Sequence, residues 1–326
     1  MRLNLYDADL NRVAIIGERF ISCLWQEGFN TVGSFSLELQ ATTEYKKKVR
    51  ADCYVGRDDR RTLMVIKTVE SKNGRIVASG KQAARVLSDV AFIGTIDTGA
   101  VVTSSIIDAY NTSNQYHKVS FADSALRLTY GQQISNKDIL GLMQTMCQSA
   151  DIGFRAVRDN GAITVEFFRP ELNPNLVFAH QFGNLGDVSV TLSTENLKNY
   201  AIVLGAGEGD ARIRVDVDRT NGEDRRELIV DARDLQMEDG ETEESYRARL
   251  AARGHEKLLE KRETLKCAFS PLAKDFGSRF DLGDILTVCL TDYGMKLQAR
   301  VASFTQKAQN NKTETTIEVG TITIMR

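Results

Sequence analysis

Proline is nearly missing from this chain: three in 326 residues, two of them (Pro170 and Pro174) in the short link Arg169–Asn175. Long disordered linkers are therefore not expected. Tryptophan occurs once, at Trp25, and aromatics make up 7% of the residues. That is a poor supply for a sugar-binding platform, which needs exposed aromatic faces. Trp25 sits among Phe20, Leu24 and Phe29 and reads as core or rim. No apolar run approaches the ~20 residues needed to span a bilayer, so membrane insertion by this chain is not expected. The N-terminus, MRLNLYDADLNR, carries charges where a secretory signal needs an apolar stretch, which argues against export by that route. Neither sign of charge dominates, with 42 Lys and Arg against 44 Asp and Glu and a formal charge of -2. A dedicated nucleic-acid binder would show a basic face or stripe instead. The five cysteines (Cys23, Cys53, Cys147, Cys267, Cys289) lie far apart without C-x-x-C spacing. They read as reduced core thiols of a protein made in a cytoplasm.

Residues that could carry chemistry are equally sparse. His117, His180 and His255 have no ligand-spaced neighbours; His255-Glu256 would need a second His at 259, where Leu stands. No metal site is expected. There is no G-x-S-x-G elbow. The acidic pairs Asp7/Asp9, Asp58/Asp59 and Glu243/Glu244 fall in polar turns or at a helix start, where they solvate a surface or face the helix dipole. Arg60-Arg61, Arg225-Arg226 and Lys46-Lys47-Lys48 are short, mixed with acids, and read as solvated surface. One stretch imitates a nucleotide site. Gly205-Ala206-Gly207-Glu208-Gly209 follows the apolar strand Ala201–Leu204. A dinucleotide loop must then open a helix, whose first amides hold the pyrophosphate. Here Ile213, Val215 and Val217 alternate with charged residues, which is a strand, and position 210 is Asp where the third Gly of G-x-G-x-x-G belongs. The glycines are expected to form a wide structural turn, and no cofactor-binding residue is assigned.

What is present is strand. At 326 residues two or three domains are expected. The first eighty residues read as a β-meander with Leu3, Leu5, Val13, Ile15, Ile21 and Leu24 at its apolar positions, and one helical turn at Thr43–Val49. Phe35, Leu37 and Leu39 alternate with polar residues in a half-buried strand. Asn73-Gly74 between Leu63–Ile66 and Arg75–Ala78 is a hairpin signal. The pattern then turns helical over Thr98–Tyr110. Ser135 with Asp138 makes a capping-box pattern ahead of the stripe Ile139, Leu142, Met143 and Met146. A hairpin follows, Phe154–Arg158 and Ile163–Phe167 about Asp159-Asn160-Gly161. From Leu185 strands return: Val188, Val190 and Leu192 alternate with Asp187, Ser189 and Thr191. A long helix over 242–264 interrupts them, acidic first and basic later, with Glu243 and Arg247 one turn apart. Gly283–Val288 and Met295–Phe304 form a hairpin about Thr291–Gly294, and Thr315–Ile324 ends the chain. The strand–turn–strand at 63–79 is echoed at 297–319, a weak internal duplication of one β-barrel.

An ordered set of motifs then points further: Trp25 ahead of Gly33-Ser34-Phe35-Ser36-Leu37; Arg158–Ile163; Gly183-Asn184-Leu185; Asn199-Tyr200 leading to the Gly205–Arg212 turn; Arg226-Glu227 before Asp231–Leu235; Leu282–Val288 with Tyr293-Gly294. In this order, over nearly the whole chain, they resemble the tail-hub (baseplate hub) protein family of long-tailed bacteriophages and prophages. The resemblance implies a β-rich α+β fold: a first β-barrel tube domain at 1–83 completed by later strands, an α/β domain at 84–182, and a second tube domain at 183–326 with the helix 242–264 inserted. It also implies a homotrimeric ring joining the tail tube, or a distal tail protein, to the tip or fibre protein, with DNA passing the channel without specific binding. Such a protein is made in the host cytoplasm and sits at the virion tail tip; contractile injection machines use hubs of similar plan. Some hubs continue into a peptidoglycan-cleaving or receptor-binding domain; here the sequence stops at Arg326, directly after the last expected strand, so a purely structural hub without catalytic, cofactor or metal residues is expected. The competing readings are a cell-wall hydrolase in the 84–180 segment, with Glu166 or Asp138 as acids, and a receptor- or glycan-binding module.

Overall fold

A computed structural model of the chain describes residues 1–113, 119–159, 161–186, 188–209, 212–238, 240–262, 264–268, 275–310 and 312–325. His117, Asn160, Asp187 and Asp210 lie outside the described residues, as do the side chains of Leu192 and Cys267. The chain divides into two compact units, Met1–Val188 with Ala268–Arg326, and Ser189–Cys267.

The fold is β-rich α+β. In chain order the first elements are β1 (Leu3–Tyr6), β2 (Arg12–Gly17), β3 (Ser22–Gly28), β4 (Thr31–Gln40), α1 (Thr43–Lys48), β5 (Tyr54–Arg57), β6 (Leu63–Lys72) and β7 (Arg75–Gln82). A short 3-10 helix, Ala83–Asp89, leads to β8 (Ala91–Ile96), α2 (Val102–Thr112), β9 (Val119–Phe121), β10 (Ile134–Asp138), α3 (Ile139–Ser149), β11 (Gly153–Asp159), β12 (Ala162–Phe168) and β13 (Leu172–Ala179). Next come β14 (Ser189–Ser193), β15 (Tyr200–Leu204), β16 (Arg214–Asp218), β17 (Glu227–Asp231), α4 (Glu243–Glu260) and β18 (Thr264–Ala268). The chain ends with β19 (Ile285–Leu290), β20 (Met295–Gln309) and β21 (Lys312–Met325).

In the larger unit one antiparallel path runs β21-β20-β3-β4-β7-β6-β5-β1-β2. Its turns follow from local chemistry. Asn73 and Gly74 both take positive φ, 50° and 74°, which a two-residue turn between right-twisted strands requires. β4 buries Gly33, Phe35, Leu37 and Leu39 and turns Ser34, Ser36 and Glu38 outward, the alternation read from its sequence. β3 and the distant β2 differ from the expected face. Leu24 is 37% exposed and Ile15 52%, while Ile16, Cys23 and Trp25 are buried. A one-residue shift of phase exchanges the faces of a strand, and these segments carry apolar residues on both.

β20 joins the two ends of the chain. Its residues 295–300 pair with β19 and residues 303–309 pair with β3, while β21 follows the other edge. β13, parallel to β19, starts inside the proline-bearing link, and its register breaks between Leu172 and Val177 around Pro174. Beyond β21 the sheet continues to β18, where Ala268 pairs with Glu318; the other end of the path is β2, and no closed barrel is found among the described residues.

The segment after β7 packs α2 and α3 against the β11–β12 hairpin. Val102, Ile106, Tyr110, Leu142, Met143, Met146, Phe154 and Val165 share one core with Leu63 and Val65 of β6. Each such side chain contributes about 1.5–3 kcal/mol of burial. Two helix starts differ from expectation. α2 begins at Val102, because Gly99 takes φ 87° and Val101 bridges Thr129 instead. At α3 the capping residue is Asp138, whose carboxylate accepts from Gly141 N at 2.9 Å; Ser135 lies in β10 and meets the Thr95 hydroxyl at 3.0 Å. A capped helix needs the oxygen just before its first turn, and only Asp138 is there. Asp138→Ala should therefore lower the unfolding free energy by about 1 kcal/mol, a typical cap loss, and Ser135→Ala by far less. Paired urea melts check the order; equal losses would return the cap to Ser135.

The smaller unit contains a three-stranded sheet, β16-β15-β17, with α4 on one face, besides β14 and most of β18. β15 pairs antiparallel with β16 and parallel with β17. α4 begins at Glu243, and Thr242, expected as its first residue, caps it instead: its hydroxyl accepts from Ser245 N, and Glu243 and Arg247 pair at 2.8 Å. It ends at Glu260, short of the expected Thr264, where β18 has begun. Its buried stripe is Tyr246, Leu250, Gly254 and Leu258, meeting Ala201, Val203, Val217 and Val230.

Candidate functional site: a buried charge cluster

Alternation in β3 places Cys23, Trp25 and Glu27 on one buried face. A carboxylate there must be paired, since a bare buried charge is very costly. Glu27 is 3% exposed and fully partnered. Its Oε1 accepts from Trp25 Nε1 at 2.7 Å and Arg60 Nε at 3.2 Å; its Oε2 accepts from Arg60 Nη2 at 2.8 Å and Thr62 Oγ1 at 2.9 Å. Arg60 also donates to Asp281 Oδ1 at 3.0 and 3.1 Å. Its guanidinium lies 4.9 Å from the Phe276 ring centre and 5.4 Å from that of Phe304, two rings stacked 4.5 Å apart. Arg57, also buried, sits over Trp25 and pairs with Asp59.

Burial pushes the Glu27 carboxyl up, but the Arg60 charge and the bonds from Arg60, Trp25 and Thr62 outweigh it and hold the group below its ordinary 4.5. Burial likewise works against the Arg60 cation, and Glu27 and Asp281 more than restore it. The sign follows. A depressed carboxyl stabilises the fold above its unfolded value, and that contribution is lost as pH falls through the folded value. Stability should therefore decline below about pH 4.5, and Glu27→Gln should flatten that slope in urea melts taken across pH. An unchanged slope would remove Glu27 as its source.

The cluster corrects one expectation: Arg60 is no solvated surface residue. The distant Asp281 and the inward phase of Glu27, invisible in the local run Arg60-Arg61, draw it inside. Arg61 remains exposed and pairs with Glu166, whose oxygens also take Arg155 Nε at 2.8 Å. Glu166 is thus held by two guanidinium groups, and Asp138 by the first turn of α3. Neither candidate acid is free for a substrate. A cue for the cluster was present in the sequence: Glu27 shares its strand face with Trp25, so a buried cation had to exist elsewhere in the chain.

The glycine-rich stretch is a structural turn. Gly207 and Gly209 take φ of 116° and 54°, and β16 follows in place of a helix. Gly205 N donates to Ile213 O, Ala206 N donates to Tyr246 Oη, and Arg212 covers the carbonyls of Leu204 and Gly205. These amides are already engaged, as a pyrophosphate loop cannot afford.

The remaining candidates scatter. His180 lies in a 3-10 turn, and His255 Nδ1 accepts from Arg219 Nε at 3.1 Å. Among the described residues no group of His, Cys, Asp or Glu is placed to hold a metal. Cys23, Cys53, Cys147 and Cys289 are free thiols, and burial pushes Cys23 and Cys147 up to about 12. Asp7 and Asp58 serve turns and local polar contacts, and Glu243 and Glu244 open α4. Lys46, Lys47 and Lys48 end α1. Arg225 lies 3.4 Å from the Tyr200 ring centre, and Arg226 donates from its backbone to Asn199 Oδ1. No helix among the described residues is long and apolar enough to cross a membrane.

The fold is of the class seen in prophage tail proteins. It is similar to the 43 kDa tail protein of prophage MuSo2 from Shewanella oneidensis, 14% identical, with a TM-score of 0.62 and 98% of each chain covered. It is also similar to the prophage tail protein gp18 from Listeria monocytogenes EGD-e, 12% identical, with a TM-score of 0.58 over 98% of this chain and 94% of that one. The tail protein of Neisseria meningitidis MC58 gives 12% identity and a TM-score of 0.56 over 98% and 95%. Residues 2–321 match the family described as Siphovirus ReqiPepy6 Gp37-like protein, and the chain belongs to that family. No curated protein matches. The resemblance to phage tail proteins read from the sequence thus holds.

Proposed function

We propose that this chain is a structural protein of a phage or prophage tail, a hub of which three copies close into a ring between the tail tube and the tip. The observation that carries the reading is the open sheet of the larger unit, whose β2 has no strand beyond it among the described residues, in a chain that matches tail proteins over nearly its full length. Unpaired strand edges invite pairing, and a closed ring hides them between neighbours. In this reading 1–83, completed by β20, supplies one tube domain and 183–326 the second, with 84–182 between them. The barrels close only in the assembly. DNA passes through the lumen without specific binding, in keeping with a formal charge of -2. The hub is made in the host cytoplasm and ends at the virion tail tip. No residue is assigned a catalytic, cofactor or metal role, and the two candidate acids of the cell-wall hydrolase, Glu166 and Asp138, are both engaged by other groups. Trp25, wholly buried, offers no sugar platform.

Light scattering after gel filtration, with negative-stain images, tests the reading on the chain co-expressed with its tail-tube protein. A threefold ring with a central hole is expected. A stable dimer without a hole, or a monomer in the presence of the tube protein, overturns it. Clearing of a cell-wall zymogram by the purified chain would favour the hydrolase.

A further inference from the structure

We propose that the cavity beside the buried charge cluster binds a small cationic nitrogen head group, an alkyl-guanidinium or alkyl-ammonium. The cavity, of about 120 Å³ and partly open to solvent, is lined by Glu27, Arg60, Gln82, Arg155, Asp281 and Asp284, with Phe154 and Phe168 as apolar walls. By volume it holds roughly four waters at about 30 Å³ each, the size of such a head.

Three features select a cation that donates hydrogen bonds. Gln82, the last residue of β7, is 4% exposed, and its Oε1 has no hydrogen-bond partner. A buried acceptor left unpaired is rare and costly. Asp284 accepts from the backbone N–H of Glu171 at 3.1 Å and of Asp281 at 2.8 Å, but makes no ion pair with a described residue. Burial raises its carboxyl above the ordinary 3.8, which marks a charge without a counter-ion. The lining carries three carboxylates against two guanidinium groups. Arg60 is committed to Glu27 and Asp281, and Arg155 to Glu166 outside the wall. An entering cation would pair with Asp284, rest its stem against Phe154, and draw round the Gln82 amide oxygen, which is otherwise sealed; Phe168 already carries the Arg155 guanidinium at 5.4 Å. An anion would face Asp284 and Asp281 in a poorly solvated space. A metal ion finds no ligand set, since both oxygens of Glu27 are filled by four donors.

The head group has two sources, a free small amine or an arginine or lysine side chain of another protein. The site stands independently of the hub reading. Trp25 is a built-in reporter, because it is the only tryptophan and donates to the Glu27 wall. The full chain is titrated with methylguanidinium, with methylammonium, with neutral urea at equal concentration and with the tripeptide Gly-Arg-Gly amide, by calorimetry and Trp25 fluorescence. Saturable binding of a cation, weakened roughly tenfold by Asp284→Asn as for one lost charge-assisted bond, is expected. Gln82→Leu should weaken it too, with both variants checked for an unchanged melting curve. Tighter binding of the tripeptide assigns the site to a side chain; equal or tighter binding of the free ions assigns it to a small amine. No saturable binding, urea binding as well as methylguanidinium, or affinity unchanged in both variants overturns the proposal.

Discussion

Glu27→Ala should lower the unfolding free energy by about 3–5 kcal/mol, the range for breaking a buried ion pair from one side. Three donors lose their acceptor at once: Trp25 Nε1, Thr62 Oγ1 and the Arg60 guanidinium. Arg60, buried under Phe276 and Phe304, keeps only Asp281. Most of the cost is the penalty of that stranded cation and not the worth of the pair. Replacing both partners by apolar residues of similar volume, Glu27→Leu with Arg60→Met, should accordingly recover much of the loss. Urea unfolding followed by Trp25 fluorescence measures both variants. A loss under about 1 kcal/mol for Glu27→Ala would mean that water reaches Arg60 and that the cluster is not desolvated.

Tyr246→Ala is the second large effect, about 3–5 kcal/mol as for other buried aromatics cut to alanine. Tyr246 is 1% exposed and is the largest side chain in the small core shared by β15, β16, β17 and α4. Its hydroxyl donates to Leu235 O at 2.7 Å and accepts from Ala206 N at 2.9 Å, so it ties the glycine turn to the segment before α4. Tyr246→Phe keeps the ring and strands those two groups, at about 1–3 kcal/mol. Hydrogen exchange of the Tyr200–Leu204 amides reads both variants directly. If the phenylalanine variant protects them as well as tyrosine does, the turn is held by Arg212 and the glycines alone.

Much of the local structure was legible in the residues. The alternation of Phe35, Leu37 and Leu39, the Asn73-Gly74 turn and the stripe from Ile139 to Met146 each express a side-chain period or a backbone preference within a few residues. The glycine stretch was legible for the same reason: Arg212–Asp218 could not open a helix with that alternation. β17 carries the composition of a strand in Leu228-Ile229-Val230, but the charged residues on both sides mask it in the sequence. Ile15 and Leu24 were placed on the wrong face, because strands with apolar residues on both sides declare no inner face of their own.

The candidate site was the least legible part. Arg60 and Arg61 are neighbours of identical type, yet the side chain of one, among rings and carboxylates, is 11% exposed and that of the other 60%. From the sequence alone follow the β-rich class, the positions of most turns and helices, and the likeness to phage tail proteins, because periods, caps and turn preferences act over a few residues. Only the tertiary structure decides that β20 lies against β3, bringing Gln306 opposite Trp25, and that Asp281 closes on Arg60. Those choices are made by burial and charge pairing between residues far apart in the chain, where the desolvation of one group is offset by another that no local window contains.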